Sequence, residues 1–197
     1  MEYYRLKAQA FPTPYLGALA GQVLASPYLA VNNLNRDFVG TRGFSIVFRR
    51  SGLEGVGRRF PYLKPYLTQA LDPACNAFYL NALLLTAGSR VDPHIDRSLR
   101  SYCKTIYPPF QVSVLYVRVP EAMAGGELIL SLRKRRVGVI RPAVNLLLTF
   151  QGDLTHAVNA MTSPGKRLSL VCEQYALEEE ELHQIPELTL ESRNLKD

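Results

Sequence analysis

The chain has 197 residues, 47% of them hydrophobic and 20% charged, enough for one sizeable domain with its own core and ordinary for a soluble globular protein. No apolar run approaches the roughly 20 residues of a membrane span, and the opening Met1–Leu16 lacks the basic start and apolar centre of a secretory signal, so a cytoplasmic protein with no membrane partner is expected. The net charge of +6 is uneven: the stretch from Glu173 to Asp197 holds eight acidic and two basic residues, leaving twenty-one basic against nine acidic before it.

A basic body with an acidic tail points to an anionic co-substrate, an anionic partner, or a tail folded back on the body. A solvated basic surface explains it about equally well. The three cysteines, Cys75, Cys103 and Cys172, show no CxxC spacing, which favours buried reduced thiols over a disulfide framework.

In chain order, Leu16–Ala25 carries apolar residues at helical spacing and ends before Pro27. Asn32, Asn33 and Asn35 predict a loop. Phe44–Phe48 reads as a strand, and Gly52, Gly55 and Gly57 as a flexible turn without the Lys-Ser/Thr ending of a phosphate loop. Pro61–Leu71 reads as a helix on the sheet, with Pro61 in its first turn and Pro65 awkwardly placed. From Ala77 onward the pattern is of short strands: Phe78–Thr86, Gln111–Val119, Glu127–Leu132, Val137–Ile140, Asn145–Phe150, Thr155–Met161 and Arg167–Tyr175. A loop is expected over Arg97–Pro109, a turn at Ala124–Gly126 and a basic turn at Arg133–Arg136. Strands at this spacing indicate a sandwich or barrel rather than alternating β-α units. Leu177–Gln184 reads as a helix and Glu187–Asp197 as an extended tail. The expected whole is a single domain, mainly β with α: N-terminal support over 1–76, a β core over 77–176, and an acidic helix and tail over 177–197.

One stretch carries chemistry, Val91–Leu99. On a strand, positions i and i+2 point to one side, so His94 and Asp96 can share an ion. His156, in Gly152–Val158, offers a third ligand. Two histidines and one carboxylate on one face of an iron leave the opposite positions open. His183 lies in the acidic tail and is expected to be solvated. Eleven residues after His156, beyond the Ser163-Pro164-Gly165 turn, Arg167 and Ser169 sit on an otherwise apolar strand. That return predicts a strand beside that of His156, with both side chains in the same cavity. Arginine suits a carboxylate held bidentately, and serine adds a hydroxyl.

The motifs His94-Ile-Asp96, Leu115-Tyr116-Val117, Gly125-Gly126-Glu127-Leu128, Pro142 followed by Asn145–Phe150, His156-Ala-Val and Arg167-Leu-Ser169 run in one order over about 78–175. This segment resembles the iron(II)/2-oxoglutarate-dependent dioxygenases of the prolyl-4-hydroxylase-like group. The resemblance implies a double-stranded β-helix, or jelly roll, around one Fe(II) held by His94, Asp96 and His156. It implies that Arg167 and Ser169 hold the distal carboxylate of 2-oxoglutarate, with Tyr116 adding a hydroxyl. It implies 2-oxoglutarate and molecular oxygen as co-substrates, with ascorbate as an accessory reductant. The implied reaction is hydroxylation of a C–H bond, at family level of a prolyl side chain in a peptide or small molecule. Two departures stand out. Leu85 occupies the place of a tyrosine in many relatives, which leaves Asn81 or Tyr79 to supply the polar contact. Asn145 replaces a turn glycine.

Three rivals remain. A nucleic-acid-modifying member of the same superfamily fits the basic body, yet such enzymes carry a second arginine six residues after the first, where this chain has Glu173. A metal-binding cupin-like module without oxygenase activity would leave Arg167 and Ser169 without a carboxylate to hold. An inert β roll could serve as a docking scaffold through Arg133–Arg136 and the acidic tail.

Overall fold

The computed structural model describes residues 2–31 and 37–195. The expected loop at Asn32, Asn33 and Asn35 lies outside the described residues. In chain order the elements are β1 (Tyr4–Lys7), α1 (Thr13–Leu24), β2 (Ala30–Val31), β3 (Phe38–Val39), β4 (Arg42–Arg49), α2 (Leu53–Arg59), α3 (Lys64–Ala70), β5 (Ala77–Leu85), β6 (Arg90–His94), β7 (Gln111–Arg118), β8 (Leu128–Leu132), β9 (Arg135–Ile140), β10 (Leu147–Gln151), β11 (Thr155–Val158), β12 (Arg167–Tyr175), α4 (Glu179–Leu182) and β13 (Leu188–Glu191). No helix among the described residues is long and apolar enough to cross a membrane.

Eight strands, β5 to β12, form the jelly roll. They divide between two sheets, β5, β7, β10 and β12 in one and β6, β8, β9 and β11 in the other, whose inner faces enclose the core. The larger sheet runs β1-β10-β7-β12-β5-β4-β13, with β2 added beside β4, and the smaller runs β3-β6-β11-β8-β9. All the pairings are antiparallel. Alternation sorts the side chains of the larger sheet. On β5, Phe78, Leu80, Ala82 and Leu84 face outward and pack under α1 and α3 with Leu19, Val23 and Tyr66. Leu83 and Leu85 face inward, packing with Val112, Val114 and Phe150. Both faces are thus covered, which is why β5 is buried at every position and reads as a continuous apolar run. The cysteines are free and buried, as their sequence context implied.

Several local expectations change. Gly52, Gly55 and Gly57 do not form a flexible turn; they lie in a 3-10 turn over Arg50–Gly52 and in α2. Their smallness serves packing. A Cβ on Gly52 would lie 2.0 Å from the Glu187 carbonyl oxygen, and one on Gly55 would lie 3.2 Å from Leu188. The predicted helix over Pro61–Leu71 splits into a 3-10 turn, Pro61–Leu63, and α3, each with a proline in its first two positions. There the missing N–H costs nothing. The expected tail Glu187–Asp197 is in part a strand: β13 pairs with β4 from Leu188↔Phe48 to Glu191↔Ser45. The C-terminal helix shortens to Glu179–Leu182. The basic turn narrows to Arg133 and Lys134, because Leu132 already pairs with Arg135.

Asn145 lies before β10 rather than within the strand expected over Asn145–Phe150, at φ 67°. A glycine adopts that left-handed conformation at no cost, and asparagine is among the few other residues that tolerate it. Its side chain explains the choice. The amide oxygen accepts from Phe11 N at 2.9 Å, and the amide nitrogen donates to Phe11 O at 2.7 Å. The residue that replaces a turn glycine therefore fastens the N-terminal segment to the roll.

Candidate active site

The smaller sheet brings the metal-binding candidates together. His94 is the last residue of β6 and lies directly opposite His156 on β11. Asp96 stands two residues beyond His94, in the chain that leaves the strand. The i, i+2 relation therefore holds even though the strand has ended. One Asp96 oxygen lies 3.2 Å from His94 Nε2 and the other 3.3 Å from His156 Nε2. Neither His94 Nε2 nor Asp96 Oδ2 has a hydrogen-bond partner, so the three side chains converge without satisfying one another. Their ligand atoms lie within 4.8 Å of one another. Unpaired buried polar atoms are costly, and a cation at their common centre would satisfy all three.

The backbone orients both rings. His94 Nδ1 lies 2.8 Å from the Asp92 carbonyl and His156 Nδ1 3.2 Å from that of Leu154. A carbonyl only accepts, so each Nδ1 carries the proton and each Nε2 offers its lone pair inward. Burial opposes ionisation of Asp96, but the adjoining imidazoles outweigh it and hold its carboxyl well below the usual carboxylate range. Burial also disfavours the His94 cation; the Asp96 carboxylate wins and raises its pKa.

The larger sheet supplies the second group. Here one expectation is corrected: β12 is not beside β11 but belongs to the other sheet, between β5 and β7. The Ser163-Pro164-Gly165 turn carries the chain at the surface from the smaller sheet to the larger, so Arg167 faces the sheet that holds both histidines instead of flanking His156. Arg167 and both histidines line one cavity with Phe38, Asn81, Val91, Leu128 and Glu173. The Arg167 guanidinium lies over the Tyr116 ring, 4.9 Å from its centroid. It donates to the Gly126 carbonyl at 2.6 Å. The paired glycines make that carbonyl available: both have positive φ, and a Cβ on Gly125 would lie 2.0 Å from the Ala160 oxygen. Arg167 Nε, Tyr116 Oη and Ser169 Oγ are buried and have no partner, and Ser169 pairs with Tyr116 across the strands. A buried guanidinium with hydroxyls to spare fits an anion such as a carboxylate. Burial pushes the guanidinium below its ordinary pKa and the Tyr116 phenol above its own.

Asn81 also lines the cavity, and its Oδ1 lacks a partner. It pairs with Val171, four positions along β12 from Arg167, and so sits between the guanidinium and the metal-binding end. Tyr79, the other candidate for the missing polar contact, lines the cavity as well, but its hydroxyl is committed to Glu191, to which it donates at 3.0 Å. Leu85 is buried opposite Arg167. His183 is exposed, 3.5 Å from Glu179 and away from the metal-ligand cluster.

Sequence reasoning treated Glu173 only as the place of a missing arginine. It is a buried part of the cavity wall. Ser98 donates to it from its hydroxyl at 2.5 Å and its backbone N–H at 3.0 Å, and the Tyr175 hydroxyl donates to it as well. Burial, then the Asp96 carboxylate, push its pKa up to about 8. Glu173 thus ties down the chain two residues beyond Asp96. Its position six residues after Arg167, inward by alternation, is the signal that could have found it.

No protein-family model matches the sequence, and no curated protein does. Solved structures do resemble it. A prolyl-4-hydroxylase from Pseudomonas putida superposes with a TM-score of 0.62 at 18% identity, over 90% of this chain and 95% of that one. A prolyl hydroxylase from Trichoplax adhaerens, in complex with a hypoxia inducible factor peptide fragment, gives 0.59 at 14% identity, over 91% and 86%. A viral collagen prolyl hydroxylase from Paramecium Bursaria Chlorella virus-1, in its 2OG complex, gives 0.57 at 14%, over 89% and 97%. At these identities the likeness establishes the fold, a jelly roll spanning nearly the whole chain.

Proposed function

We infer that this chain is an Fe(II)/2-oxoglutarate-dependent dioxygenase that hydroxylates a C–H bond, with a prolyl side chain in a peptide as its substrate class. The observation that carries this reading is the pairing of two unsatisfied polar groups in one cavity. At one end are two imidazoles and a carboxylate; at the other is a buried guanidinium, with the unpartnered Tyr116 and Ser169 hydroxyls on the adjoining strand and on its own. A metal alone would leave the second group without purpose, and a dicarboxylate reaching from the metal to Arg167 satisfies both. The prolyl assignment draws on the solved structures of like fold, one of which holds a peptide.

Each residue has a part. His94, Asp96 and His156 hold the metal from one face, with Asp96 ionised between the rings. Arg167 grips the far carboxylate of 2-oxoglutarate, Tyr116 and Ser169 add hydrogen bonds, and Asn81 offers its amide midway. Phe38, Val91, Leu128 and Val158 form apolar walls that keep water from the centre. When bound there, iron and 2-oxoglutarate supply the oxidising power, with 2-oxoglutarate decarboxylated to succinate as oxygen is consumed.

Anaerobic addition of Fe(II) and 2-oxoglutarate to the folded protein should give a weak visible charge-transfer band. Admission of oxygen should then yield succinate and, with a cell extract, a product heavier by one oxygen atom. His94→Ala and Asp96→Ala should abolish both signals. A folded protein without the band would instead be a metal-binding or scaffold module. The nucleic-acid reading is disfavoured because Glu173 puts a carboxyl where that reading calls for a cation.

A further inference from the structure

The cationic run Arg133–Arg136 has no part in the proposed reaction, and its place in the fold is informative. β8 pairs with β11 so that Leu130 lies opposite His156 and Ser131 opposite Thr155. Three residues on is Arg133, about 10 Å along the strand at ordinary β spacing. The hairpin tip therefore projects at the metal-binding end of the roll. All four side chains are exposed, and none forms an ion pair or side-chain hydrogen bond among the described residues. Between Glu127 and Asp153 the chain carries five cations and no carboxylate. The tip continues into β9, the outer strand of its sheet, whose far edge is unpaired among the described residues.

We propose that Arg133–Arg136 and the edge of β9 form a docking surface for an acidic extended segment of the peptide substrate. This rests on the peptide-hydroxylase reading above. The spacing sets a register: the hairpin folds back, with Leu132 opposite Arg135 and Ser131 opposite Arg136, so all four cations lie on the order of 10 Å from the metal-binding rung, and at about 3.3 Å per residue the acidic run lies roughly three to four residues from the residue acted on. Neighbouring charges favour a peptide over nucleic acid. Glu2, Asp72 and Asp153, against the one cation Arg5, line the open groove at the same end of the roll, beside Pro109 and Phe110. They would repel a continuous phosphate backbone, whereas a peptide can present its acids to the hairpin alone. Unpaired edge strands also accept extended peptides.

Fluorescence anisotropy with the full chain tests this, using three labelled probes: a peptide with a central proline and a glutamate run on one side, the same peptide with glutamines, and an oligothymidylate. The glutamate peptide should bind about tenfold more tightly than the glutamine one at low salt, and the advantage should fade as salt rises. Neutralising all four residues (R133Q, K134Q, R135Q and R136Q together) should erase the difference while leaving 2-oxoglutarate binding and the circular dichroism spectrum unchanged. Equal binding of the two peptides, or an advantage that survives neutralisation, would overturn the assignment and leave the cations as guards of a bare strand edge. Tighter binding of the oligonucleotide through the same four residues would overturn it in favour of nucleic acid. The oxygenase reading is scored separately by the Fe(II)–2-oxoglutarate band: a chain that docks the acidic peptide without that band loses the reaction and keeps the surface.

Discussion

Arg167 and Glu173 stand on one strand, face one cavity and differ in what satisfies them. Arg167 is buried with Nε unpartnered, so its worth should appear only when a carboxylate arrives. Arg167→Ala should weaken 2-oxoglutarate binding roughly 30-fold or more, the usual cost of removing one partner of a buried charged pair. Tyr116→Phe should weaken it far less; titration of the charge-transfer band would measure both. Glu173 is already bonded to Ser98 and Tyr175, so its effect should be on stability and on the Asp96 loop. Its pKa is raised to about 8 in the fold from about 4.3 in the unfolded chain. The unfolded chain therefore releases this proton first. The stability contributed is full below the unfolded value and is lost as pH rises through the folded one. The melting temperature of the metal-free protein should fall across that interval, and Glu173→Gln should remove this part of the fall.

At the scale of elements, two small features hold peripheral segments to the roll. Asn145→Ala removes both hydrogen bonds to Phe11 and puts alanine at φ 67°. It should cost about 2–3 kcal/mol in urea unfolding, whereas Asn145→Gly keeps the turn relaxed and should cost less. Gly52→Ala drives a methyl into the Glu187 carbonyl and should lift the segment leading into β13, seen as faster amide exchange at Leu188 and Leu190. Much of the element list was legible. β12 was read with its observed bounds because its ends fall between a Ser-Pro-Gly turn and a polar stretch. The cluster of His94, Asp96 and His156 was legible because metal chemistry restricts residue type as well as spacing. What the sequence concealed was partnership. A period of two tells which side chains share a face but not which strand lies alongside, so β12 was expected beside β11. The edge strands of the larger sheet were missed for another reason: β1 (YRLK) and β13 (LTLE) alternate apolar and polar residues but are only four residues long, the shortest run in which alternation marks a strand.

The molecule as a whole is a roll whose chain after Asp96 is clamped from the C-terminal side. Ser98 is bound to Glu173, Thr105 to Glu181, and Tyr102 to Glu191, which also accepts from Tyr79. Leu99, Cys103 and Ile106 pack against Tyr175 and Ile185 beneath. Glu191→Ala releases two hydroxyls at once and should increase amide exchange over residues 98–106, with loss of 2-oxoglutarate turnover greater than loss of 2-oxoglutarate affinity. A ribosome adds on the order of ten residues each second and earlier segments fold first. His94 and Asp96 are therefore made several seconds before Glu191, and His156 and Arg167 also precede it. For that interval a nascent chain carries the His94–Asp96–His156 cluster without the clamp, and the loop beside it gains its last anchors only when β13 takes its place against β4.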